Sequence, residues 1–311
     1  MKNLYRRSIL RMILLIFSTI PLISNAQTEQ DALMMPERNL CVAGIAGYNS
    51  WTNYWEGKFK RVNENIGRLS TRYGMLMLSY GLKKNINVMA SVPYVSTKAT
   101  QGTLSGLNGT QDIGLFIKWR PIQKKLGNQD ISLFGVGGFS APSDNYNIDF
   151  MPMSIGLGSS VLSARLILDI QRNHFFSTLS AGYMYRGNVE IDRPAYYTTR
   201  QINTYEVEMP NAGNFQLRTG YRSKKLVAEA SLSNMTTFGG FDIRKNDMPF
   251  VSNKMNSTNA GLEAKYYPFS QTLGINANVW QTLKGRNVGQ ATGYSAGILY
   301  TVNFKSKTSL K

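Results

Sequence analysis

Hydrophobic and polar residues alternate strictly in two neighbouring segments of the chain, 86–94 and 113–120. In the first, every second residue from Ile86 to Tyr94 is apolar, and in the second the same holds from Ile113 to Trp119. A period of two over about ten residues is typical of a β-strand with one apolar and one polar face. Because each run ends near an aromatic residue, the pattern predicts strands that cross a lipid bilayer in a barrel.

The same alternation recurs to the end of the sequence. It predicts about twelve strands, an even number as in single-chain bacterial outer-membrane barrels. Connections after even-numbered strands are short and those after odd-numbered strands are long, as expected of periplasmic turns and external loops. The predicted short connections are 81–85, 121–129, 171–174, 222–225 and 268–272.

These features predict an all-β fold, a closed antiparallel transmembrane β-barrel of about twelve strands over residues 39–304. A closed barrel provides every backbone N–H and C=O group with a partner inside lipid. The alternative is a soluble all-β sandwich, which would not need such regular connections. The strand at 71–80 is apolar on both faces, with Met75 and Met77 opposite Leu76 and Leu78, so its facing stays open.

The amino terminus has the pattern of a secretory signal peptide over residues 1–26. Positive residues precede a short apolar core, and Ser24-Asn25-Ala26 supplies small residues before a cut at Gln27. The alternative, an uncleaved anchor, is disfavoured because the apolar core is shorter than the roughly 20 residues that span a bilayer. We expect 27–38 to be a short periplasmic lead-in and 305–311 to be a C-terminal tail. Export without spanning helices predicts the bacterial outer membrane as the location.

Positive charge is in excess, with 35 Lys and Arg against 18 Asp and Glu, for a net charge of +17. These charges are scattered along turns and loops, whereas nucleic-acid binders cluster them. We therefore expect membrane lipid, and no nucleic acid, as a partner. Cys41 and His174 are the only residues of their types, so an internal disulfide and a typical zinc site are both excluded. The sequence predicts no metal and no cofactor.

Closure of the barrel would turn one face of each strand toward the lumen. Asp112 is expected to pair there with Lys118 or Arg120, because inward charges usually pair. The inward cluster of both signs could line a polar pore or form salt bridges that fill the lumen, and both interpretations stay open. The candidate lumen-lining residues are Asp112, Lys118, Arg120, Arg165, Asp169, Arg218, Arg222, Glu229, Glu263 and Lys265.

Pro93 lacks a donor for the strand ladder, so we expect it to end its strand at the membrane rim. The alternative is a kink that opens a lateral gap between strands. The predicted aromatic residues at the lipid interface are Tyr94, Trp119, Tyr183, Tyr221, Tyr294 and Tyr300. In the first external loop, Trp51, Tyr54 and Trp55 are expected to anchor in lipid, with a ligand-binding lip as the alternative.

The segment from Tyr80 to Trp119 carries a family resemblance. It contains Tyr80-Gly81-Leu82, Val92-Pro93-Tyr94 and Gly109-Thr110-Gln111-Asp112-Ile113 before Lys118-Trp119. This order resembles the outer-membrane transporters of the "meta-pathway of phenol degradation" family, which are similar in style to fatty-acid and toluene channels. The resemblance implies passage of small apolar or aromatic compounds. Fatty-acid channels carry an N-terminal hatch, and we expect the lead-in 27–38 to be too short for one.

Three functions remain as hypotheses. The first is a porin-like barrel that lets small, hydrophobic or aromatic solutes through, with the barrel-assembly machinery as a partner during insertion. The second is a structural or partner-binding barrel of the envelope or of secretion machinery. The third, an outer-membrane lipid-modifying enzyme, is disfavoured because His174 lies in a predicted periplasmic turn, away from the outer rim where a general base would be needed. We therefore expect no enzymatic activity.

Overall fold

The computed structural model describes residues 28–244, 247–269 and 272–304. The predicted signal peptide, 1–26, and the predicted C-terminal tail, 305–311, lie outside the described residues. Across the described ranges every regular element is a β-strand, and no helix is long and apolar enough to cross a membrane.

Nineteen strands are described, and twelve of them form one closed antiparallel barrel. Each barrel strand pairs with the next barrel strand in the chain, and the first strand, β1, pairs with the last, β19, so that no open edge of the sheet remains. The strands are β1 (Asn39–Trp51), β2 (Asn53–Glu56), β3 (Phe59–Val62), β4 (Leu69–Lys83), β5 (Ile86–Ala99), β6 (Asn108–Thr110), β7 (Ile113–Leu126), β8 (Gln129–Ala141), β9 (Val161–Arg172), β10 (Phe175–Arg186), β11 (Val189–Glu190), β12 (Tyr196–Tyr197), β13 (Gln201–Ile202), β14 (Glu206–Val207), β15 (Ala212–Arg222), β16 (Leu226–Thr237), β17 (Asn256–Tyr266), β18 (Leu273–Arg286) and β19 (Thr292–Asn303). Of these, β2, β3, β6 and β11 to β14 lie in loops.

The predicted fold class and strand number are confirmed. The predicted connection at 121–129 is wrong, because β7 continues to Leu126 and β8 begins at Gln129. Pro121 suggested a break, but a register shift between Trp119 and Ile122 accommodates it inside the strand. The turn that remains is two residues long and contains Gly127 at φ 60°, a backbone conformation that glycine adopts without strain.

A broad apolar belt covers the outer face of the barrel. On β4, Leu76 is 49% exposed while its neighbour Met77 is 8% exposed, which settles the facing that the sequence left open. The same alternation turns Leu115, Leu166 and Leu262 outward from other strands. Exposed apolar surface on this scale is stable only against lipid, so the barrel is a transmembrane barrel.

Three long loops at one end fold into a compact cap, whose described residues are 142–160, 187–211, 238–244 and 247–255. Ile148, Val207 and Phe250 come from different loops and are buried in one hydrophobic cluster. Short strands add backbone pairing, with β11 bonded to β14 and β12 to β13. The opposite end consists of short turns, which face the periplasm in barrels of this class.

The first external loop is not a free aromatic lip. It forms the β2–β3 hairpin, in which Trp55 is 7% exposed. An added Cβ on Gly285 would come 2.5 Å from the Trp55 ring, and one on Gly289 equally close to the Trp51 ring. Trp55 therefore packs on the end of β18 and Trp51 packs on the β18–β19 connection, which corrects the expectation that they anchor in lipid.

The barrel wall has one short seam, between β5 and β7. Six residue pairs join these strands, from Ile86–Trp119 to Ser91–Gly114. Beyond Ser91, the short strand β6 takes over the pairing with β5. Pro93 lies inside β5, which continues to Ala99, so the expectation that it ends the strand is wrong. Its carbonyl accepts a hydrogen bond from the Gln111 N–H, on the side where its own N–H is missing.

Candidate functional site

The amino-terminal segment 28–35 lies inside the barrel. Ala32 packs with Phe134 and Ile167 on the β8–β9 wall, while Met35 packs with Met77 on the wall formed by β1, β4 and β19. The segment therefore crosses the lumen, and we call residues 28–35 the plug. This placement corrects the expectation that 27–38 is a periplasmic lead-in too short to form a hatch.

Asp31 organises the plug. Its carboxylate accepts hydrogen bonds from the backbone N–H groups of Thr28 (2.7 Å) and Leu33 (3.1 Å), which fold the segment into a tight turn. The ammonium groups of Lys118 (3.1 Å) and Lys265 (3.5 Å) approach the same carboxylate from β7 and β17. One acidic side chain thus shapes the plug and fixes it to two sides of the wall.

Lys118 is fully buried against the plug. Besides its ion pair, its ammonium donates to the backbone carbonyls of Thr28, Asp31 (2.8 Å) and Leu33 (3.4 Å). A buried ammonium is stable only when its donors are satisfied and a counter-charge is close. The plug supplies both, so Lys118 and the plug depend on each other.

Ion pairs continue from the plug along the wall. Lys265 lies 3.3 Å from Glu263, Arg218 lies 3.9 Å from Glu263, and Arg218 also lies 2.6 Å from Glu229. These contacts join Asp31 to strands β15, β16 and β17. Of the two open interpretations, the structure shows the salt-bridge network in the centre of the lumen.

A second group of charges lies at the turn end. Arg222 pairs with Asp169 at 3.0 Å and stacks on the Phe176 ring at 3.9 Å from its centroid. Arg120 donates to the Lys84 carbonyl at 3.4 Å. Arg165, further into the lumen, donates to the Ser180 hydroxyl at 3.3 Å. Nine of the ten candidate lumen residues therefore face the interior.

Asp112 is the exception. It precedes β7 and accepts a hydrogen bond from the Tyr146 hydroxyl in the cap, while Lys118 and Arg120 bind elsewhere. The expected pairing within the lumen is wrong, because Asp112 lies at the loop level rather than on the strand. Burial raises the pKa of the Asp112 carboxyl above its ordinary value, although the bond from Tyr146 acts in the opposite direction.

Above the plug, on the loop side, lies a chamber of about 250 Å³. One side is apolar and the other is polar. A separate neighbouring cavity of about 280 Å³ shares the lining residues Gln30, Arg218, Glu263 and Asn278 with the chamber and reaches Trp280. The apolar lining is Ile45, Tyr73, Met75, Met77, Phe116 and Leu299, and the polar lining includes Glu29, Arg218, Glu263, Lys265, Asn276 and Asn278.

Glycines let the aromatic rings lie flat along the chamber wall. A Cβ on Gly47 would come 2.2 Å from the Tyr73 ring, and one on Gly138 would come 2.4 Å from the Phe116 ring. A ring over a bare backbone on the neighbouring strand fills little of the lumen. The chamber is therefore wide because Tyr73 lies over Gly47 and Phe116 lies over Gly138.

The plug separates this chamber from a vestibule at the turn end. Thr28 to Gln30 line the chamber, whereas Ala32 to Met34 line the vestibule, which has a volume of about 490 Å³. Arg120, His174 and Arg222 belong to the vestibule. His174 packs edge-on against Tyr221, with ring centroids 5.2 Å apart.

Five of the six predicted interface aromatics are at least 43% exposed, and Tyr221 is partly buried beside His174. The five exposed residues are Tyr94, Trp119, Tyr183, Tyr294 and Tyr300. The role of all six at the lipid interface stays a prediction.

No group of three or more His, Cys, Asp or Glu side chains in the described part of the chain could hold a metal ion.

Asp31 is the site residue that the sequence interpretation missed. The signal available was an acid directly before the apolar run Ala32-Leu33-Met34-Met35, in a segment otherwise considered polar. An acid beside four apolar residues is unusual for a free lead-in, and it suggests burial with a counter-charge.

Comparisons with known proteins show the fold. The chain is similar to the crystal structure of an outer-membrane channel from Pseudomonas putida F1, with a TM-score of 0.68 and 13% identity over 90% of this chain and 100% of that one. The NanC porin (TM-score 0.45, 11% identity, 84% and 98% coverage) and the TodX monoaromatic hydrocarbon channel (0.39, 12%, 87% and 91%) are less similar, and their scores are too low to support an inference. No family model and no curated protein match the sequence, so the phenol meta-pathway resemblance stays a prediction.

The membrane location follows from the barrel itself. A closed twelve-stranded barrel with an apolar outer belt spans a membrane, and its fold is that of a bacterial outer-membrane channel. The protein therefore lies in the bacterial outer membrane.

Proposed function

We propose that this barrel lets small apolar solutes cross the outer membrane. The observation that carries the proposal is the chamber inside the lumen, whose wall on β1, β4, β7 and β19 is apolar. Interior positions of a water-filled porin are polar. A wall that includes Met75, Met77 and Phe116 instead offers an adaptable surface for hydrocarbon.

The lumen is not an open aqueous pore, because the plug crosses it. It separates chamber and vestibule and is fixed by buried ion pairs, so water and ions have no wide path through the described lumen. A solute that partitions into the apolar chamber needs only a small displacement of side chains. The structure therefore supports slow, solute-selective passage rather than bulk diffusion.

The β5–β7 seam gives such a solute a second way out of the chamber. Ser91, the last β5 residue paired with β7, and Phe116 both line the chamber. Just beyond, the missing N–H of Pro93 weakens the wall. An apolar solute that leaves here enters lipid directly and does not have to pass the plug.

The experiment is an uptake assay in cells with an intact lipopolysaccharide leaflet, because pure phospholipid already admits apolar compounds. Expression of the protein should raise the initial uptake rate of radiolabelled toluene and leave that of glucose unchanged. Met75→Gln, which places an amide in the apolar wall, should reduce toluene uptake, whereas the outward-facing control Leu76→Ala should not. Faster uptake of glucose without toluene would contradict the proposal.

A further inference from the structure

The polar side of the chamber carries charges that already have partners. Arg218 is paired with Glu229 and Glu263, and Lys265 lies between Asp31 and Glu263. Close by, Lys118 is paired with Asp31. Each of these three cations, Arg218, Lys265 and Lys118, therefore lies at ion-pair distance from a carboxylate of the protein.

The remaining charges around the chamber also balance. Glu29 lines the chamber and accepts a hydrogen bond from the Gln30 amide at 3.0 Å. Arg165 faces the interior from β9 and bonds to Ser180. The lumen around the chamber therefore holds four cations (Lys118, Arg165, Arg218 and Lys265) and four carboxylates (Asp31, Glu29, Glu229 and Glu263).

This balance discriminates against charged solutes. A carboxylate that entered the chamber would have to displace Glu263 or Asp31 from its cation, and an ammonium would have to compete with Arg218 and Lys265 for Glu263, or with the nearby charges of Lys118 and Arg165 for Glu29. Either ion would otherwise be buried without a counter-charge, at a large desolvation cost. Uncharged polar groups are not excluded, because Ser91, Asn278 and Ser295 also line the chamber and can exchange hydrogen bonds with them.

The size of the chamber restricts the apolar part of the solute. A cavity of roughly 150 Å³ lined by Leu, Ile and Phe takes up benzene. The chamber, at about 250 Å³, fits one aromatic ring with a short substituent, or a chain of similar bulk. Its apolar wall and polar wall face each other, so a ring would lie against Met75 and Phe116 while a head group points toward Asn278.

We propose that the chamber is a binding site for uncharged amphiphiles of about one-ring size, with an apolar body and a single hydroxyl-type head. This inference rests on the proposed function and specifies which solutes that function serves. It predicts a ligand preference that follows head-group charge and not hydrophobicity alone.

The test uses four ligands that share a ring and differ in the head: toluene, benzyl alcohol, benzoate and benzylamine. Equilibrium dialysis against the mature protein in lipid nanodiscs measures each affinity, with empty nanodiscs subtracted. Ala43→Leu, which adds volume at a buried position of the chamber lining, serves to identify binding inside the chamber. Benzyl alcohol should bind about tenfold more tightly than benzoate or benzylamine. A factor of about ten is the loss of affinity expected when a ligand breaks one ion pair or hydrogen bond of the chamber.

Asn278→Leu should reduce the affinity for benzyl alcohol about threefold and leave that for toluene unchanged, because it removes one hydrogen-bonding partner. Should Asn278→Leu or Ala43→Leu not fold, the ranking of the four ligands on the unaltered protein still decides. Benzoate or benzylamine binding as tightly as benzyl alcohol would overturn the proposal, and so would equal binding of toluene. Selective binding without any toluene uptake in cells would instead contradict the proposed function and leave the site standing.

Discussion

The ammonium nitrogen of Lys118 lies 3.1 Å from Oδ1 of Asp31, and this ion pair joins the barrel wall to the plug. The side chain of Lys118 is 0% exposed and that of Asp31 is 5% exposed. Removing one partner of a buried pair leaves the other charge without compensation, so the loss is much larger than that of a surface pair. The plug is therefore an integral part of the folded barrel.

Asp31→Asn tests this dependence. The amide has the size of the carboxylate, but its NH2 group replaces an oxygen that accepts a backbone N–H, and it leaves Lys118 and Lys265 without their shared counter-charge. We expect the free energy of unfolding in urea to fall by about 3 kcal/mol. We also expect higher single-channel conductance, because a loosened plug opens the path from chamber to vestibule. Glu37→Gln is the matched control, because Glu37 is exposed and lies two residues after Met35, the last residue of the plug. Its effect on the free energy of unfolding should stay within about 0.5 kcal/mol.

Asp112 is expected to act through the cap. Asp112→Ala removes the acceptor for the Tyr146 hydroxyl, whose oxygen also accepts a hydrogen bond from the Gly158 N–H (2.9 Å). The loop 142–160 should then exchange its amide protons faster, and Tyr146→Phe should have the same effect. Leu166→Ala, on the lipid face, should leave this loop unchanged. Equal exchange in Asp112→Ala and Leu166→Ala would show that Asp112 does not hold the cap.

Pro93→Ala should strengthen the seam. The new N–H points to the side where the Pro93 carbonyl already bonds to Gln111, so it can gain a partner in the β6 segment. We expect the free energy of unfolding to rise by up to about 1 kcal/mol and toluene uptake to fall. Pro210→Ala, in the cap, controls for the loss of a proline. Unchanged toluene uptake in a stabilised Pro93→Ala barrel would exclude the seam as a route.

The anchor between the cap and β18 should respond to acid. Arg286 donates two hydrogen bonds to Asp242 and Asn287 donates one, and these bonds hold the pKa of the Asp242 carboxyl below its ordinary value of 3.8. A carboxyl with a lowered pKa stabilises the folded cap above pH 3.8, and this contribution is lost as the pH falls through the lowered pKa.

Hydrogen exchange in 238–255, corrected for intrinsic rates, measures this loss between pH 7 and pH 3. We expect less protection at pH 3 in the unaltered protein. Asp242→Asn should already show reduced protection at pH 7 and a smaller change on acidification. The same pH response in both proteins would attribute the effect to other carboxyl groups.

Local patterns in the sequence were sufficient for most of the architecture. The period-two alternation from Ile86 to Tyr94 is a property of adjacent residues, because successive side chains of a strand point to opposite faces. It therefore predicted the strands, the inward charges and the closed fold. It did not predict the extent of β7, since Pro121 looks like a terminator unless the register shift beside it is known.

The sequence alone determined a twelve-stranded barrel with charges inside, since lipid outside and hydrogen-bonded closure leave few other folds for alternating strands. Only the tertiary structure decided what those charges do. Lys118 meets Asp31 across 87 residues of chain, and Asp112 meets Tyr146 across 34. Such contacts depend on which strands become neighbours and how far each is staggered, and neither is encoded in the period of a single strand.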